Sequence, residues 1–385
     1  MDGLSCDVAI AGGGLVGLSL AYELATLGAQ VVVVDAAHPG RATDAGAGIL
    51  SPDTNAEDEH WWWEFGHRAG AHYPDLLARM AADGVDTDGT GYHTCGLISV
   101  GLRESERDWY DPFADRVTRR SGQVIREITP DEARQKFPPL GPVHRALYNP
   151  AAARIDGRGM ADALRQAATG RGVHFVSGAV TGVTDLVGAD AATSTRTVQH
   201  VQIDDHDDLA CGALAVAGGA WSAAMGEWLG HPLPITPTKG QIVHLGVAEA
   251  TGEWPIVQPL LTHYLVPWPG GRVACGGTFE ADAGFSATTT AAGLHELLRE
   301  CLSVAPGLAD AEYLHTRVGL RPTSSDDRPV VGALPGWSNV FVVTGHGASG
   351  LLLGPYSARL VAERITGQGG GGQPIPAGVD PARFS

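Results

Sequence analysis

The first 35 residues contain three apolar segments separated by short turns. Residues 7–11, which are apolar after Asp7, are typical of a short buried β-strand, and residues 18–27 carry apolar side chains at helical spacing. The four consecutive valines at 31–34 predict a second strand, which ends at Asp35. The pattern therefore predicts a β–α–β unit at the start of the chain.

The turn between the first strand and the helix contains glycines at a spacing that suits a phosphate group. Gly12 permits a tight turn, Gly14 lets the backbone approach a pyrophosphate, and Gly17 lets the helix pack closely on the strand. The N-terminus of the helix offers N–H groups and a positive dipole end to the phosphates. Asp35 can bind a ribose hydroxyl, and an acid there disfavours NADP. The spacing predicts a dinucleotide, FAD or NAD, rather than an ordinary glycine turn.

Helical spacing recurs further along the chain, after a predicted loop at 36–53. Residues 57–80 predict a helix that Pro74 interrupts or bends, and residues 104–121 predict one that Pro112 breaks. Other helices are predicted to start at Thr129 and to span 156–169, 291–303 and 351–365.

The strand pattern changes along the chain. Between 235 and 280, alternating apolar residues with Pro and Gly turns favour an antiparallel sheet and a second domain, while 181–209 predicts polar strands and turns. A glycine-rich turn and a helix follow the run at 340–344, which repeats the phosphate-loop pattern of the N-terminus. We therefore expect both ends of the chain to share one nucleotide domain. Further buried strands are predicted at 96–100, 173–175, 178–180 and 214–217.

Composition and charge argue against several classes of protein. The 385 residues contain 26 Lys and Arg against 43 Asp and Glu, and this net charge of −17 disfavours nucleic acid and anionic membranes as partners. No apolar run is long enough to span a membrane, and the first strand leaves no room for a signal peptide. Five cysteines without a C-x-x-C pair favour reduced thiols and a cytoplasmic location. The histidines lack metal-ligand spacing, so no metal site is predicted.

A series of short motifs occupies 7–35, 41–50, 217–222, 239–241, 264–267, 276–280, 319–322, 327–332, 344–347 and 380–384. Their order resembles the FAD-dependent D-amino-acid oxidase superfamily, and within it the branch of glycine oxidases and D-amino-acid dehydrogenases. The resemblance covers nearly the whole chain. It implies an α/β fold with a discontinuous Rossmann-like FAD-binding domain and an antiparallel-sheet α+β substrate domain.

The same resemblance divides the chain into discontinuous domains. The FAD-binding domain is expected to comprise 1–86, 146–224 and 316–366, and the substrate domain 87–145 and 225–315. Residues 367–385 form a glycine-rich linker and tail.

The resemblance implies a bound FAD, with each part of the cofactor assigned to a stretch of the chain. The loop at 43–49 would lie against the isoalloxazine, Val180 would contact the adenine side, and 345–352 would place a helix N-terminus near the flavin N1–C2=O locus. Gly218 and Gly219 follow an apolar strand, and a close approach to the cofactor is favoured there over an ordinary tight turn. No cysteine between 320 and 345 matches the residue that carries covalent flavin in sarcosine oxidases, so the FAD is expected to be non-covalent. The predicted cofactor residues are Gly12, Gly14, Leu15, Val16, Gly17, Asp35, Ala36, Arg41, Thr43, Asp44, Ala45, Gly46, Ala47, Gly48, Ile49, Val180, Ala217, Gly218, Gly219, Trp221, Arg321, Gly345, His346, Gly347, Ala348, Ser349, Gly350, Leu351 and Leu352.

For the substrate, the resemblance points to Arg321 in a G-L-R-P motif, where an arginine holds the substrate carboxylate by a bidentate pair. A structural ion pair is the alternative. Tyr264 is expected to donate its hydroxyl to the same carboxylate, or to be a buried strand residue. Further expected pocket residues are Phe279, His263, His346 and Ser349, of which Phe279 could instead belong to the core.

One position departs from the family pattern. Glycine oxidases tend to carry an additional arginine in the loop that here contains Ala348 and Ser349. One positive charge is therefore missing from the expected pocket, which puts glycine itself in doubt as the substrate.

The activity implied is oxidation of the C–N bond of a small amino acid or amine by hydride transfer to flavin N5. The imine product would hydrolyse to a keto acid, and O2 or another acceptor would reoxidise the flavin. One alternative keeps the flavin and takes an N-methyl, cyclic secondary or specialised biosynthetic amine. A non-catalytic FAD-binding subunit and a nicotinamide dehydrogenase are further alternatives. A homo-oligomer is possible.

Overall fold

The computed structural model describes residues 5–54, 59–122, 124–187, 195–368 and 374–385. Within them, two eight-stranded sheets form the framework and helices cover their faces. The helices are α1 (Leu15–Thr26), α2 (Ala42–Ala45), α3 (His60–Ala82), α4 (Arg107–Arg120), α5 (Pro130–Lys136), α6 (Gly157–Gly170), α7 (Ser222–Leu229), α8 (Ala291–Val304) and α9 (Gly350–Thr366).

The first sheet contains the predicted N-terminal β–α–β unit. Its strands are β1 (Ser5–Ala11), β2 (Val31–Asp35), β8 (His174–Ser177), β9 (Val180–Val187), β10 (Arg196–Ile203), β11 (Leu209–Val216), β17 (Val330–Ala333) and β18 (Val340–Thr344). The central order is β17-β18-β11-β1-β2-β8, and the β9–β10 hairpin extends from β11. Because β1, β2, β8, β11 and β18 run parallel, their carboxyl ends meet at one edge, where ligands bind in such sheets.

The second sheet is largely antiparallel, as the alternating pattern predicts. It contains β4 (Leu97–Gly101), β5 (Arg126–Ile128), β6 (Arg145–Asn149), β12 (Ile235–Gly246), β13 (Ile256–Pro259), β14 (Tyr264–Trp268), β15 (Arg272–Gly276) and β16 (Glu312–Ser324). Their order is β16-β12-β15-β14-β13-β4-β6-β5. The short strands β3 (Ile49–Leu50) and β7 (Ala153–Arg154) pair separately.

The sheet in which each strand pairs can be compared with the predicted domain limits. Strands from both ends of the chain lie in the first sheet, so it is discontinuous in sequence, as expected. The predicted limits at 146 and 316 fall inside β6 and β16, both of which pair within the second sheet. A division by sheet would place these limits after 149 and after 324.

Helices α1, α3 and α9 meet on one face of the first sheet around a buried carboxylate. Glu23 of α1 is fully buried and forms ion pairs with Arg79 of α3 at 2.6 Å and Arg359 of α9 at 2.8 Å. His72 lies 3.4 Å from the same carboxylate. Burial alone would raise the pKa of Glu23, but the contacts with His72, Arg79 and Arg359 lower it to about 2. Three helices are therefore held together through one charged group.

Several helix predictions need correction. The predicted break at Pro112 is wrong, because α4 continues through it, and α3 likewise continues through Pro74 without interruption. Each proline removes one backbone hydrogen bond, and buried neighbours such as Tyr73 and Tyr110 keep both helices packed. The predicted loop at 36–53 contains α2 and β3.

Other boundaries move by a few residues. Helix α1 begins at Leu15, three residues before the predicted start, and 178–180 contributes only the first residue of β9. Parts of three predictions lie outside the described residues, namely the helix start at 57, residues 188–194 of the polar strand segment, and residues 369–373 of the glycine-rich linker and tail.

Candidate active site

A cavity of about 430 Å³ extends from the β1–α1 turn to the face of the second sheet. Tyr264 lines it, together with most residues predicted to contact the cofactor. These are Gly12, Gly14, Leu15, Val16, Asp35, Ala36, Arg41, Thr43, Ala45, Gly46, Ala47, Gly48, Ile49, Val180, Ala217, Gly218, Gly219, Trp221, Arg321, His346, Gly347, Ala348, Gly350 and Leu351. The fold thus brings together segments from the whole length of the chain.

Five other residues predicted for the cofactor site do not line the cavity, namely Gly17, Asp44, Gly345, Leu352 and Ser349, and the last of these is described below. Gly17 packs against the turn, because a Cβ atom there would lie 2.0 Å from the carbonyl oxygen of Gly12. Gly345 has a φ of +75°, which favours glycine. Asp44 lies 3.5 Å from Arg41 in an ion pair, and Leu352 is buried in the core.

The glycine turn is shaped by contacts at consecutive positions. Gly12 has a φ of +115°, and a Cβ atom there would lie 2.4 Å from the carbonyl oxygen of Ala217. Gly13 faces Asp35, whose Oδ2 would be 2.7 Å from an added Cβ. At Gly14 an added Cβ would meet only the Thr43 hydroxyl, at 3.4 Å. The space in front of α1 is therefore open.

The loop after β2 is fixed to this turn by polar contacts. The Arg41 guanidinium donates to Asp35 Oδ2 at 2.7 Å, and the backbone N–H of Ala37 donates to Asp35 Oδ1 at 3.3 Å. Thr43 Oγ1 accepts a hydrogen bond from the backbone N–H of Leu15, at 3.0 Å, at the start of α1. These contacts hold the 41–49 loop against the helix N-terminus.

Arg321 lies at the other end of the cavity, on β16. Its Nη1 donates to the carbonyl oxygen of Thr278 at 2.9 Å and lies 3.4 Å from that of Lys239. The guanidinium lies against Gly240, where a Cβ atom would come within 2.4 Å of Nη1. Among the described residues it has no carboxylate partner, which leaves the alternative of a structural ion pair without support. Backbone carbonyls therefore orient a cation that remains available to an anion.

The side chain of Tyr264, on β14, lies close to the Arg321 guanidinium. A Cβ atom at Gly277 would lie 3.0 Å from Arg321 Nη2 and 3.2 Å from the Tyr264 hydroxyl, so the two side chains meet above this glycine. Burial raises the pKa of Tyr264 to about 12, with the nearby Arg321 charge opposing the shift. The hydroxyl therefore stays protonated and can donate a hydrogen bond at neutral pH.

A buried polar network behind Arg321 was not found from the sequence. Lys239, 2% exposed, forms an ion pair with Glu280 at 3.1 Å. Glu280 Oε1 also accepts hydrogen bonds from Gln241 Nε2 and from the Thr278 hydroxyl, both at 2.7 Å. Burial alone would raise the pKa of Glu280, and these hydrogen bonds lower it overall. The network fixes the two segments whose carbonyls orient Arg321.

Comparison with known proteins assigns the family. A family model described as FAD dependent oxidoreductase (DAO) matches residues 7–364. The chain belongs to this family. It is 35% identical over 363 residues to the uncharacterized oxidoreductase YurR of Bacillus subtilis, covering 93% of this chain and 94% of that protein. It is 28% identical to the glycine oxidase of Pseudomonas aeruginosa, covering 99% of both chains.

Solved structures agree with this assignment. The fold matches iminodiacetate oxidase from Chelativorans sp. BNC1 with a TM-score of 0.86 and 33% identity, covering 98% of each chain. It matches glycine oxidase from Geobacillus kaustophilus with a TM-score of 0.84 and 26% identity, covering 99% and 98%. This FAD-dependent oxidoreductase therefore lies in the glycine-oxidase-like branch of the D-amino-acid oxidase superfamily, with a Rossmann-type FAD-binding domain and a second domain.

The cavity of the oxidoreductase fits FAD. The open space before Gly14 and the α1 N-terminus suits a pyrophosphate, and Asp35, at the carboxyl end of β2, would bind a ribose hydroxyl. The 41–49 loop and the second sheet then bound the space for the isoalloxazine.

His346 of the oxidoreductase is 4% exposed and lines the cavity. Burial lowers its pKa to about 4, so the ring is neutral at neutral pH. Its Nε2 lies 3.1 Å from Ser357 Oγ, whose own hydroxyl donates to the carbonyl oxygen of Leu353 at 2.9 Å. His346 Nε2 must therefore carry the proton and donate to Ser357, which occupies this nitrogen in a structural contact.

Three predicted substrate-pocket residues of the oxidoreductase do not line the cavity. The Phe279 ring is 69% exposed and lies 6.0 Å from the Arg321 guanidinium, so it is at the rim and not in the core. His263 faces Glu296 of α8 at 3.1 Å. Ser349 lies immediately before α9, and its backbone N–H donates to the carbonyl oxygen of His346 at 2.9 Å.

An aromatic stack beside the cavity was also missed from the sequence. Trp221 stacks on His38 at a centroid distance of 4.8 Å and on Phe285 at 5.5 Å. These rings come from segments far apart in the chain, so no local pattern could reveal the stack.

Two further observations concern the described part of the chain. Its helices are each too short or too polar to cross a bilayer. No cluster of three or more His, Cys, Asp or Glu side chains suited to a metal ion occurs in those same ranges.

Proposed function

We propose that this FAD-dependent oxidoreductase oxidises the C–N bond of a small amino acid whose carboxylate is bound by Arg321. The observation that carries the proposal is the Arg321 guanidinium, which lines the cavity without a carboxylate partner among the described residues and meets the Tyr264 hydroxyl above Gly277. A planar guanidinium and a neutral hydroxyl donor together suit a carboxylate.

The bound FAD supplies a hydride acceptor, N5 of the isoalloxazine. The protein's part is to fix the carboxylate so that the substrate Cα–H points at the acceptor. Such positioning lowers the barrier by removing the entropy cost of alignment. The product would be an imine, which hydrolyses to a keto acid.

The titratable groups of the cavity support direct hydride loss without a side-chain base. Asp35 is the carboxylate among the described lining residues, and it lies at the glycine turn, bound to Arg41. His38 also lines the cavity, and its ring stacks on Trp221. Tyr264 is protonated at neutral pH, and the Nε2 nitrogen of His346 is occupied by Ser357. A substrate that arrives with a neutral amine needs no further proton acceptor for the C–H step.

A second candidate is an amino acid with a substituted nitrogen. Two observations favour it: a Cβ atom at Gly347 would meet nothing within 4 Å, and Ala348 and Ser349 stand where glycine oxidases tend to carry an arginine. The similarity to iminodiacetate oxidase supports the same class, since its substrate is an N-substituted glycine.

Anaerobic reduction tests both candidates. The holoenzyme would be mixed with glycine, sarcosine, iminodiacetate, D- and L-amino acids and proline analogues, and flavin bleaching followed for each. Bleaching by carboxylate-bearing amines, lost in Arg321→Met, is the expected result. Equal bleaching of Arg321→Met would contradict the role of Arg321, and no bleaching by any amine would favour the non-catalytic FAD-binding subunit.

The electron acceptor, O2 or another compound, follows from comparing oxygen uptake with dye reduction after bleaching. A cytoplasmic location and a possible homo-oligomer stay predictions from the sequence.

A further inference from the structure

A second group of cations lies on the same face of β16 as Arg321 but on the other side of α2. Arg317 is four residues before Arg321, and helix α2 packs over Gly319 between them, where a Cβ atom would lie 2.9 Å from Ala45. Arg317 is accompanied by Arg272 of β15, His244 of β12 and His315 of β16, and by Arg154 and Arg158 at the two ends of the segment that leads into α6.

Arg317 and Arg272 are paired with a carboxylate less closely than Arg171 and Arg79 are. Asp156 approaches Arg317 at 3.6 Å and Arg272 at 3.8 Å, both beyond hydrogen-bond distance. Its other oxygen caps α6 by accepting from the backbone N–H of Arg158. By contrast, Arg171 donates twice to Asp83 at 2.6 Å. The positive charges of Arg317 and Arg272 are therefore only partly neutralised by the nearby carboxylate, although the protein as a whole is acidic.

A second observation comes from His244, which is 3% exposed. Arg272 Nη1 lies 3.1 Å from His244 Nδ1, and since a guanidinium can only donate, Nδ1 is the acceptor. Burial, and next the charge of Arg317, lowers the pKa of His244 to about 3, so the neutral ring carries its proton on Nε2. That Nε2–H is buried with no acceptor within hydrogen-bond distance, and so is the Nε–H of Arg317.

The two unpaired donors, His244 Nε2 and Arg317 Nε, therefore lie on the same face of the sheet as the positive charges of Arg317 and Arg272. His244 pairs with His315 in the β12–β16 ladder, and Arg317 lies one pleat further along β16 on the same face. Leaving buried donors unpaired is costly, and an oxyanion satisfies both donors and charges together. The side chains of Arg317 and Arg272 are 14% and 21% exposed, so a solute can contact parts of both. The Nε of Arg317 and the Nε2 of His244 are buried, so an anion reaches these two atoms only if side chains at the site shift on binding.

We propose that Arg317, Arg272 and His244 bind a small doubly charged oxyanion of the phosphate type at this junction of the two sheets. The site is separate from the cavity, because α2 lies between them, and an anion there would link the second sheet to the α6 N-terminal region. The proposal does not depend on the substrate.

Inorganic phosphate is the probe. Thermal unfolding of the FAD-loaded enzyme would be measured at neutral pH in phosphate and in sodium chloride of equal ionic strength, so that FAD occupies the pyrophosphate position. With phosphate at about ten times its Kd, we expect Tm to rise by about 2 °C relative to chloride. Calorimetric titration should give one phosphate per chain.

Substitutions of Arg317, with control substitutions elsewhere, test whether phosphate binds at this site. Arg317→Gln should abolish the phosphate-specific rise, whereas Arg171→Gln, which removes an arginine that already has its carboxylate, should keep it. Arg317→Lys, which keeps the charge but loses the planar fork, should bind more weakly and serves if the glutamine variant does not fold. Arg321→Met should also keep the rise. Absence of the rise in the wild type, its persistence in both Arg317 variants, or its loss in Arg321→Met would overturn the proposal.

Discussion

The guanidinium of Arg321 lies against Gly240, where a Cβ atom would come within 2.4 Å of Nη1 and 2.5 Å of Nη2. The two residues lie on neighbouring strands, since Arg321 pairs with Thr238 in the β12–β16 ladder. The missing side chain at 240 is therefore what allows the cation to lie flat on the sheet and face the cavity.

Gly240→Ala should displace Arg321 without disturbing the cofactor. Loss of a charge-assisted contact predicts an increase of about 10- to 100-fold in KM for carboxylate substrates. Steady-state kinetics and FAD affinity measured on the same preparation check this. Gly246→Ala, on the same strand and facing only the tip of Leu314 at 3.2 Å, is the matched control. An unchanged KM in Gly240→Ala would mean that the guanidinium does not bind the carboxylate from this position.

Glu280→Gln should act on the same arginine indirectly. It leaves Lys239, 2% exposed, without its carboxylate and weakens the network that sets the carbonyl oxygen of Thr278. We expect KM to rise about tenfold, corresponding to about 1.4 kcal/mol, with FAD affinity unchanged. Glu296→Gln, which removes the partner of His263 outside the cavity, should leave KM at the wild-type value. Equal effects of the two variants would argue against the network.

Gly12→Ala should prevent FAD binding, because an added Cβ would lie 2.4 Å from the carbonyl oxygen of Ala217 and close the turn. The measurement is bound flavin per purified chain. Gly28→Ala is the control, since Gly28 also has positive φ, +89°, but a Cβ there would meet nothing within 4 Å. It should cost about 1–2 kcal/mol in backbone strain and keep its flavin. Flavin retained by Gly12→Ala would show that the turn can open.

Glu23→Gln should destabilise the protein, because Arg79 and Arg359 would lose their buried counter-charge. The expected cost is about 3–5 kcal/mol at neutral pH, measured by denaturant unfolding. Asp75→Asn is the matched control: it removes the other, 68% exposed partner of Arg79 and should cost under about 1 kcal/mol.

The difference in the free energy of unfolding between wild type and Glu23→Gln should change with pH in a definite direction. The pKa of Glu23 is about 2 in the folded protein against an ordinary 4.5, so the folded state binds fewer protons between these values. The stabilisation by Glu23 is complete above pH 4.5 and is lost as the pH falls toward 2. The difference between wild type and Glu23→Gln should therefore shrink over that interval, and a constant difference would contradict the ion-pair assignment.

Elements with local signals were predicted from the sequence. The β1–α1–β2 unit rests on apolar runs and glycines, and α5 on the reciprocal hydrogen bonds between Thr129 and Glu132. Asp156 likewise caps α6 with its side chain. The break predicted at Pro112 and an interruption at Pro74 were wrong, because the packing of the buried faces of α3 and α4 outweighs the loss of single backbone hydrogen bonds.

The predicted residues of the candidate site likewise fall into those that line the cavity and those that do not. Arg321 and Tyr264 were found through short motifs and both line the cavity, whereas His263, Phe279 and Ser349 do not. A motif gives a residue's position on a strand, but the direction of its side chain depends on strand pairing and twist.

By itself, the sequence determined the N-terminal nucleotide unit, the antiparallel second sheet and the family, because each is encoded in residues close together in the chain. Only the tertiary structure decided that Glu280 supports Arg321 and that Asp156 approaches both Arg317 and Arg272. These relationships depend on which residues face each other across β12, β15 and β16, and that register is set by packing between distant segments.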